Sequence, residues 1–116
     1  MFDYNPETWL ETFSKLSDGI PRTMRAYNKL QQSATAPDGM LDVKLKKLIT
    51  LGIAITLRAD HSIMIHTREA VEAGATIPEI MDTISMAILM GGEPALIAGV
   101  EAYRIASEMT AEKDNK

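Results

Sequence analysis

Ser62, His66 and Glu69 follow one another at intervals of four and three residues, the spacing that places side chains on one stripe of an α-helix. In such a stripe Glu69 orients the His66 imidazole, His66 acts as a base or proton shuttle, and Ser62 offers a hydrogen-bonding hydroxyl. Spacing alone favours a half-exposed polar stripe, or a histidine satisfied by a serine hydroxyl. His61 stands five residues before His66, about 140° round a helix, so the pair lacks the i, i+4 relation of two chelating imidazoles. It suits a pocket mouth or helix start, and equally a solvated surface position. Lys47 reads either as an anchor for a substrate carboxylate or as a solvated lysine on a helix start. Arg58 and Asp60 read as surface charges. A convergence of Lys47, Arg58 and His66 would suit a small anionic substrate. No metal-ligand set is present, and Gly91-Gly92-Glu93-Pro94 lacks the spaced glycines and Lys-Ser/Thr ending of a phosphate loop. No cofactor is expected.

The chain offers no sulfur nucleophile, because its 116 residues include no cysteine. Disulfides, zinc-thiolate sites and thiol catalysis are excluded on that ground. Its net charge of −4 and its single short basic cluster, Lys44, Lys46 and Lys47, leave no basic face for nucleic acid or anionic membranes. No secretory signal opens the sequence, and the most apolar run, residues 48–57, is shorter than the roughly 20 residues that span a bilayer. A soluble cytoplasmic protein with a small-molecule substrate is the expectation.

Helical punctuation runs through the chain. Asn5 and Pro6 open a first helix that Gly19 ends, and Pro21 opens a second in which Met24, Tyr27 and Leu30 share a face. Residues 33–39 have loop composition. Asp42 caps a third helix reaching about Arg58, and its second half is apolar on nearly every side. A fourth runs from about Asp60 to Ala73, closed by Gly74. Thr76 and Glu79 then form a T-x-x-E capping box ahead of a fifth helix ending at Gly91-Gly92. Pro94 starts a sixth, expected to end near Met109. The expected fold is all-α, with six helices and an inner hairpin. Residues 1–40 are expected to share one structural domain with the core of 41–110, followed by a flexible tail, 111–116. Two helices apolar on most faces exceed what so small a chain covers readily, so a homo-oligomer is expected. The methionines read as packing residues.

Residues 41–106 carry a resemblance. LDVKLKKLITLGIAI, HSIMIHTREAVEAGAT and PEIMDTISMAILMGGEPA stand in the order of the core helices of the carboxymuconolactone decarboxylase and alkylhydroperoxidase D-like family, and LIAGVEAYRIA matches more loosely. The resemblance implies an all-α subunit assembling as a trimer or hexamer. It also implies a site. The family's reductase branch reads Cys-x-x-Cys-x-x-x-His, with a glutamate twelve residues before the first cysteine and, in some members, a histidine before the second. On this chain those positions are Ala59, Ser62, His66, Lys47 and His61. The histidines are kept; both sulfurs and the carboxylate are replaced. Thiol–disulfide exchange needs a thiolate, so a thiol peroxidase is excluded. Three readings follow: cysteine-independent, decarboxylase- or lyase-type acid–base chemistry on a small organic acid or lactone through His66; a redox-inactive relative of alkylhydroperoxidase-like oxidoreductases; and a non-catalytic ligand-binding oligomer.

Overall fold

The computed structural model describes residues 6–115, all of whose regular elements are helices. The capping role expected of Asn5 lies outside the described residues. Contacts group the chain into two compact units, up to Ala36 and from Pro37 onward.

In the first unit, α1 (Pro6–Gly19) and α2 (Pro21–Ala34) meet at Ile20. A residue before proline is pushed out of the α region, and Ile20 accordingly has φ −133° and ψ 56°. Trp9 stacks on Phe13 one turn later, with ring centroids 5.3 Å apart. α2 contains no buried residue.

The second unit is a four-helix bundle of α3 (Val43–Thr56), α4 (Asp60–Glu72), α5 (Ile77–Gly91) and α6 (Glu93–Asp114). α3 packs against α4 and α5, and α6 packs against the same two, with a smaller diagonal contact between α3 and α6. Leu51, Ile55, Ile63 and Ile80 are fully buried at its centre. Asp42 caps α3 by accepting from the Leu45 N–H at 2.8 Å. The Thr76–Glu79 capping box is complete, with the Thr76 N–H donating to Glu79 Oε1 at 2.9 Å.

Two sharp reversals end α3 and α4. At Gly74, φ is 99°, and the N–H groups of Gly74 and Ala75 donate to Val71 and Ala70 carbonyls. The chain after α3 repeats that pattern: Arg58 and Ala59 donate to Ile55 and Ala54. Here, however, the left-handed position is filled by Arg58, at φ 55°, where glycine is the usual occupant. This reversal folds α4 back along α3.

α6 continues past its expected end. Met109 is buried, and Lys113 Nζ donates to the Val71 carbonyl at 3.3 Å. A cation at the carbonyl end of α4 is favoured by the helix dipole. Residues 111–114 of the expected flexible tail are therefore helical.

Candidate functional site

The reversal at Arg58 decides which side chains face one another. Lys47 and Glu69 each lie eleven residues from it, so an antiparallel α3–α4 pair sets them side by side. Lys47 Nζ lies 2.5 Å from Glu69 Oε2. The other carboxylate oxygen, Oε1, is 3.6 Å from His66 Nδ1, an electrostatic contact rather than a hydrogen bond. The side chains of Lys47, His66 and Glu69 are 20%, 21% and 32% exposed. Charges held this far from solvent interact more strongly than a surface pair does.

His66 is the electrostatic centre of this cluster. Burial pushes its pKa below the ordinary 6.5; the Glu69 carboxylate pulls it back up and the Lys47 ammonium adds to the lowering. The imidazole is thus held toward its neutral, basic form near pH 7. Nδ1 is sealed from solvent and has no hydrogen-bond partner, so the ring's exposed surface lies elsewhere. A buried, unsatisfied ring nitrogen facing a carboxylate becomes satisfied when the ring is protonated and turns toward Glu69. The arrangement favours accepting a proton at the exposed part of the ring and stabilising the resulting imidazolium from behind.

The remaining expected residues sit elsewhere. Ala59 is the N-cap of α4 and makes no side-chain cap. Ser62 is half-buried one turn before His66, and no hydrogen bond joins the two. His61 is half-buried in the first turn of α4. Arg58 is exposed, eleven residues and about 16 Å along the helix axis from Lys47. Lys47 and His66 are brought together around Glu69, while Arg58 stands apart as an exposed charge, so the conditional convergence of Lys47, Arg58 and His66 does not form.

Apolar space lies on a different side of α3. A groove of about 600 Å³ runs between α3 and α5, lined by Leu45, Ile49, Ile53, Met86 and Met90 among others. None of Lys47, Ser62, His66 or Glu69 borders it. No group of three or more potential metal ligands occurs among the described residues, and no helix among them is long and apolar enough to cross a membrane.

Known proteins resemble this chain in sequence and in structure. An uncharacterized protein of Cupriavidus necator is 29% identical over 85% of this chain and 87% of its own length. The crystal structure of a carboxymuconolactone decarboxylase family protein from Legionella pneumophila superimposes with a TM-score of 0.83 at 32% identity, covering 88% of this chain and 90% of that one. A family protein from Thermotoga maritima gives 0.74 at 30% identity, over 82% and 96% of the two chains. Residues 21–104 match the family as a whole, and together with the four-helix core this places the chain in the carboxymuconolactone decarboxylase family.

Proposed function

We propose that this family member performs cysteine-independent acid–base chemistry on a small organic acid or lactone, with His66 as the proton-transfer group. The observation carrying this reading is the Lys47–Glu69–His66 cluster, in which a partly desolvated imidazole faces a carboxylate held by an ammonium on the opposite helix.

In the proposed reaction, His66 removes a proton from a carbon next to a carbonyl, and the C–H electron pair passes into the carbonyl as an enolate. The new imidazolium faces Glu69, whose opposite charge offsets it, and later returns the proton to carbon. Lys47 acts through Glu69 as a positioning residue; its remaining ammonium hydrogens are available to a substrate carboxylate. Thiol redox chemistry has no group to perform it, since the chain contains no cysteine.

A panel of five- and six-membered lactone carboxylates, followed by solvent-deuterium exchange at carbon and by release of carbon dioxide, tests the proposal. Exchange or turnover by the wild type that His66→Gln abolishes is the expected result. Turnover that survives His66→Gln unchanged would remove His66 from the chemistry. The cytoplasm as its location, and a trimer or hexamer as its assembly, belong to the same proposal.

A further inference from the structure

The Ser62 hydroxyl makes no hydrogen bond among the described residues. A hydroxyl inside a helix commonly donates to the carbonyl four residues back, as Thr50, Thr56, Thr83 and Ser85 do here. Four residues before Ser62 stands Arg58, which lies ahead of α4 in the left-handed region at φ 55°. No hydrogen bond joins the two. The reversal at Arg58 thus leaves the Ser62 hydroxyl open to a partner from outside the chain, and a backbone outlier of this kind points to function at the residues it sets.

The neighbours of Ser62 are ordered as a base and an orienting carboxylate. His66 stands one turn on, with about 5–6 Å between Cβ atoms, a gap the imidazole can span. Glu69 Oε1 faces His66 Nδ1 at 3.6 Å and favours the tautomer with its proton there, so Nε2 carries the basic lone pair. Lys47 holds Glu69 from α3. A donor for developing negative charge is also in place. Ser62 falls in the first turn of α4, whose start has no side-chain cap. The helical ladder begins at the Ile63 N–H, which donates to the Ala59 carbonyl, so the Ser62 N–H precedes it without an intrahelical acceptor. A serine's own N–H serves as an oxyanion donor in serine hydrolases. Nucleophile and base also stand one turn apart in the S-x-x-K motif of other acyl-transfer enzymes.

We propose that Ser62 is an acyl-transfer nucleophile, with His66 as its base and Glu69 as the orienting carboxylate, and that the chain hydrolyses short-chain esters through a covalent acyl-serine. The Ser62 hydroxyl proton passes to His66 Nε2 as Oγ bonds to the ester carbonyl carbon. The carbonyl electron pair moves onto oxygen and returns as the C–O bond to the alcohol breaks, and the alcohol leaves with the proton from His66. Water, deprotonated by His66 in its turn, releases the carboxylic acid and restores the Ser62 hydroxyl. The acyl group is short because the groove of about 600 Å³, the apolar space a long chain would fill, does not border Ser62. This activity shares with the carbon-acid chemistry above only the proton-accepting His66.

A fluorophosphonate applied to the full chain tests the nucleophile: the Oγ–P bond forms and fluoride leaves. One phosphonyl adduct per chain is expected, mapped to Ser62 by peptide mass spectrometry and formed about a hundredfold more slowly in His66→Gln. With p-nitrophenyl acetate, the wild type is expected to release nitrophenol and Ser62→Ala to lose that activity, while circular dichroism verifies that each variant folds. An unlabelled Ser62 would overturn the proposal, as would equal labelling rates in the wild type and His66→Gln, or nitrophenol release unchanged in Ser62→Ala. Deuterium exchange at carbon does not pass through the Ser62 oxygen. A wild type that exchanges deuterium but leaves Ser62 unlabelled therefore defeats this proposal alone, and labelling without exchange supports it and removes the carbon-acid chemistry.

Discussion

Lys47 Nζ on α3 lies 2.5 Å from Glu69 Oε2 on α4, so the carboxylate facing His66 is fixed from the opposite helix. A glutamate on one flexible side chain samples several rotamers; one tied to a neighbouring helix is held where the imidazole needs it. The pair also ties α3 to α4 near the open end of their hairpin. It therefore links the stability of the bundle to the electrostatics of the site.

Breaking that pair leaves a half-buried carboxylate without its cation. Lys47→Met is expected to lower unfolding free energy by about 1 kcal/mol, scaled down from a fully buried pair because both side chains retain solvent contact. Lys47→Glu is expected to cost more, since it faces Glu69 with a like charge. Lys47→Glu combined with Glu69→Lys recovers most of the loss. Urea unfolding of the four proteins measures all of these terms.

Stability should fall as the solution is acidified through pH 6.5. Folded His66 titrates below that value because it is partly desolvated, while in the unfolded chain it returns to the ordinary one. Between the two values the unfolded state binds more protons, so lowering the pH favours unfolding until the folded value is passed. His66→Phe is expected to flatten this part of the stability profile, read from urea midpoints between pH 7.5 and 5.5. An unchanged profile would show that His66 does not carry the dependence.

The reversal between α3 and α4 stores a small amount of strain. Arg58 at φ 55° occupies a region that costs a side-chain-bearing residue about 1–2 kcal/mol, of which glycine's greater unfolded-state freedom returns part. Arg58→Gly is expected to raise stability by about 0.5–1 kcal/mol. A thermal melt of the variant gives the sign directly.

Close packing of α5 on α6 makes Gly99 intolerant of growth. A methyl group there would sit 2.6 Å from Ile84 Cγ2, and a β-branched side chain has little freedom to move aside. Gly99→Ala is expected to destabilise by about 1–3 kcal/mol despite its better helix propensity. A stabilised variant would mean that the two helices separate more readily than their packing indicates.

Local signals in the sequence were faithful wherever structure is local. The Thr76–Glu79 box, the Asp42 cap, Gly74 and the proline at position 21 act within one turn of themselves, and each appears where those residue types demand it. The end of α6 was not legible, because what extends it is tertiary: Lys113 reaches a carbonyl 42 residues away. The partnership of Glu69 with Lys47 is of the same kind. Helical periodicity displays neighbours on one helix and is silent about the facing one. A signal did exist in the equal distances of the two residues from Arg58, but using it requires knowing that the chain reverses at an arginine. The two outer faces of α3, one polar toward His66 and one apolar toward α5, were legible only as a helix apolar on most sides.

The protonation of His66 is the point on which the functional account turns. With two histidines in the chain, His61→Gln leaves one imidazole to follow by NMR from pH 4.5 to 8.5. A midpoint below 6.5 is predicted, falling further in Glu69→Gln and rising in Lys47→Met, as the signs of the neighbouring charges require. A midpoint at or above 6.5 that ignores both substitutions would contradict the account.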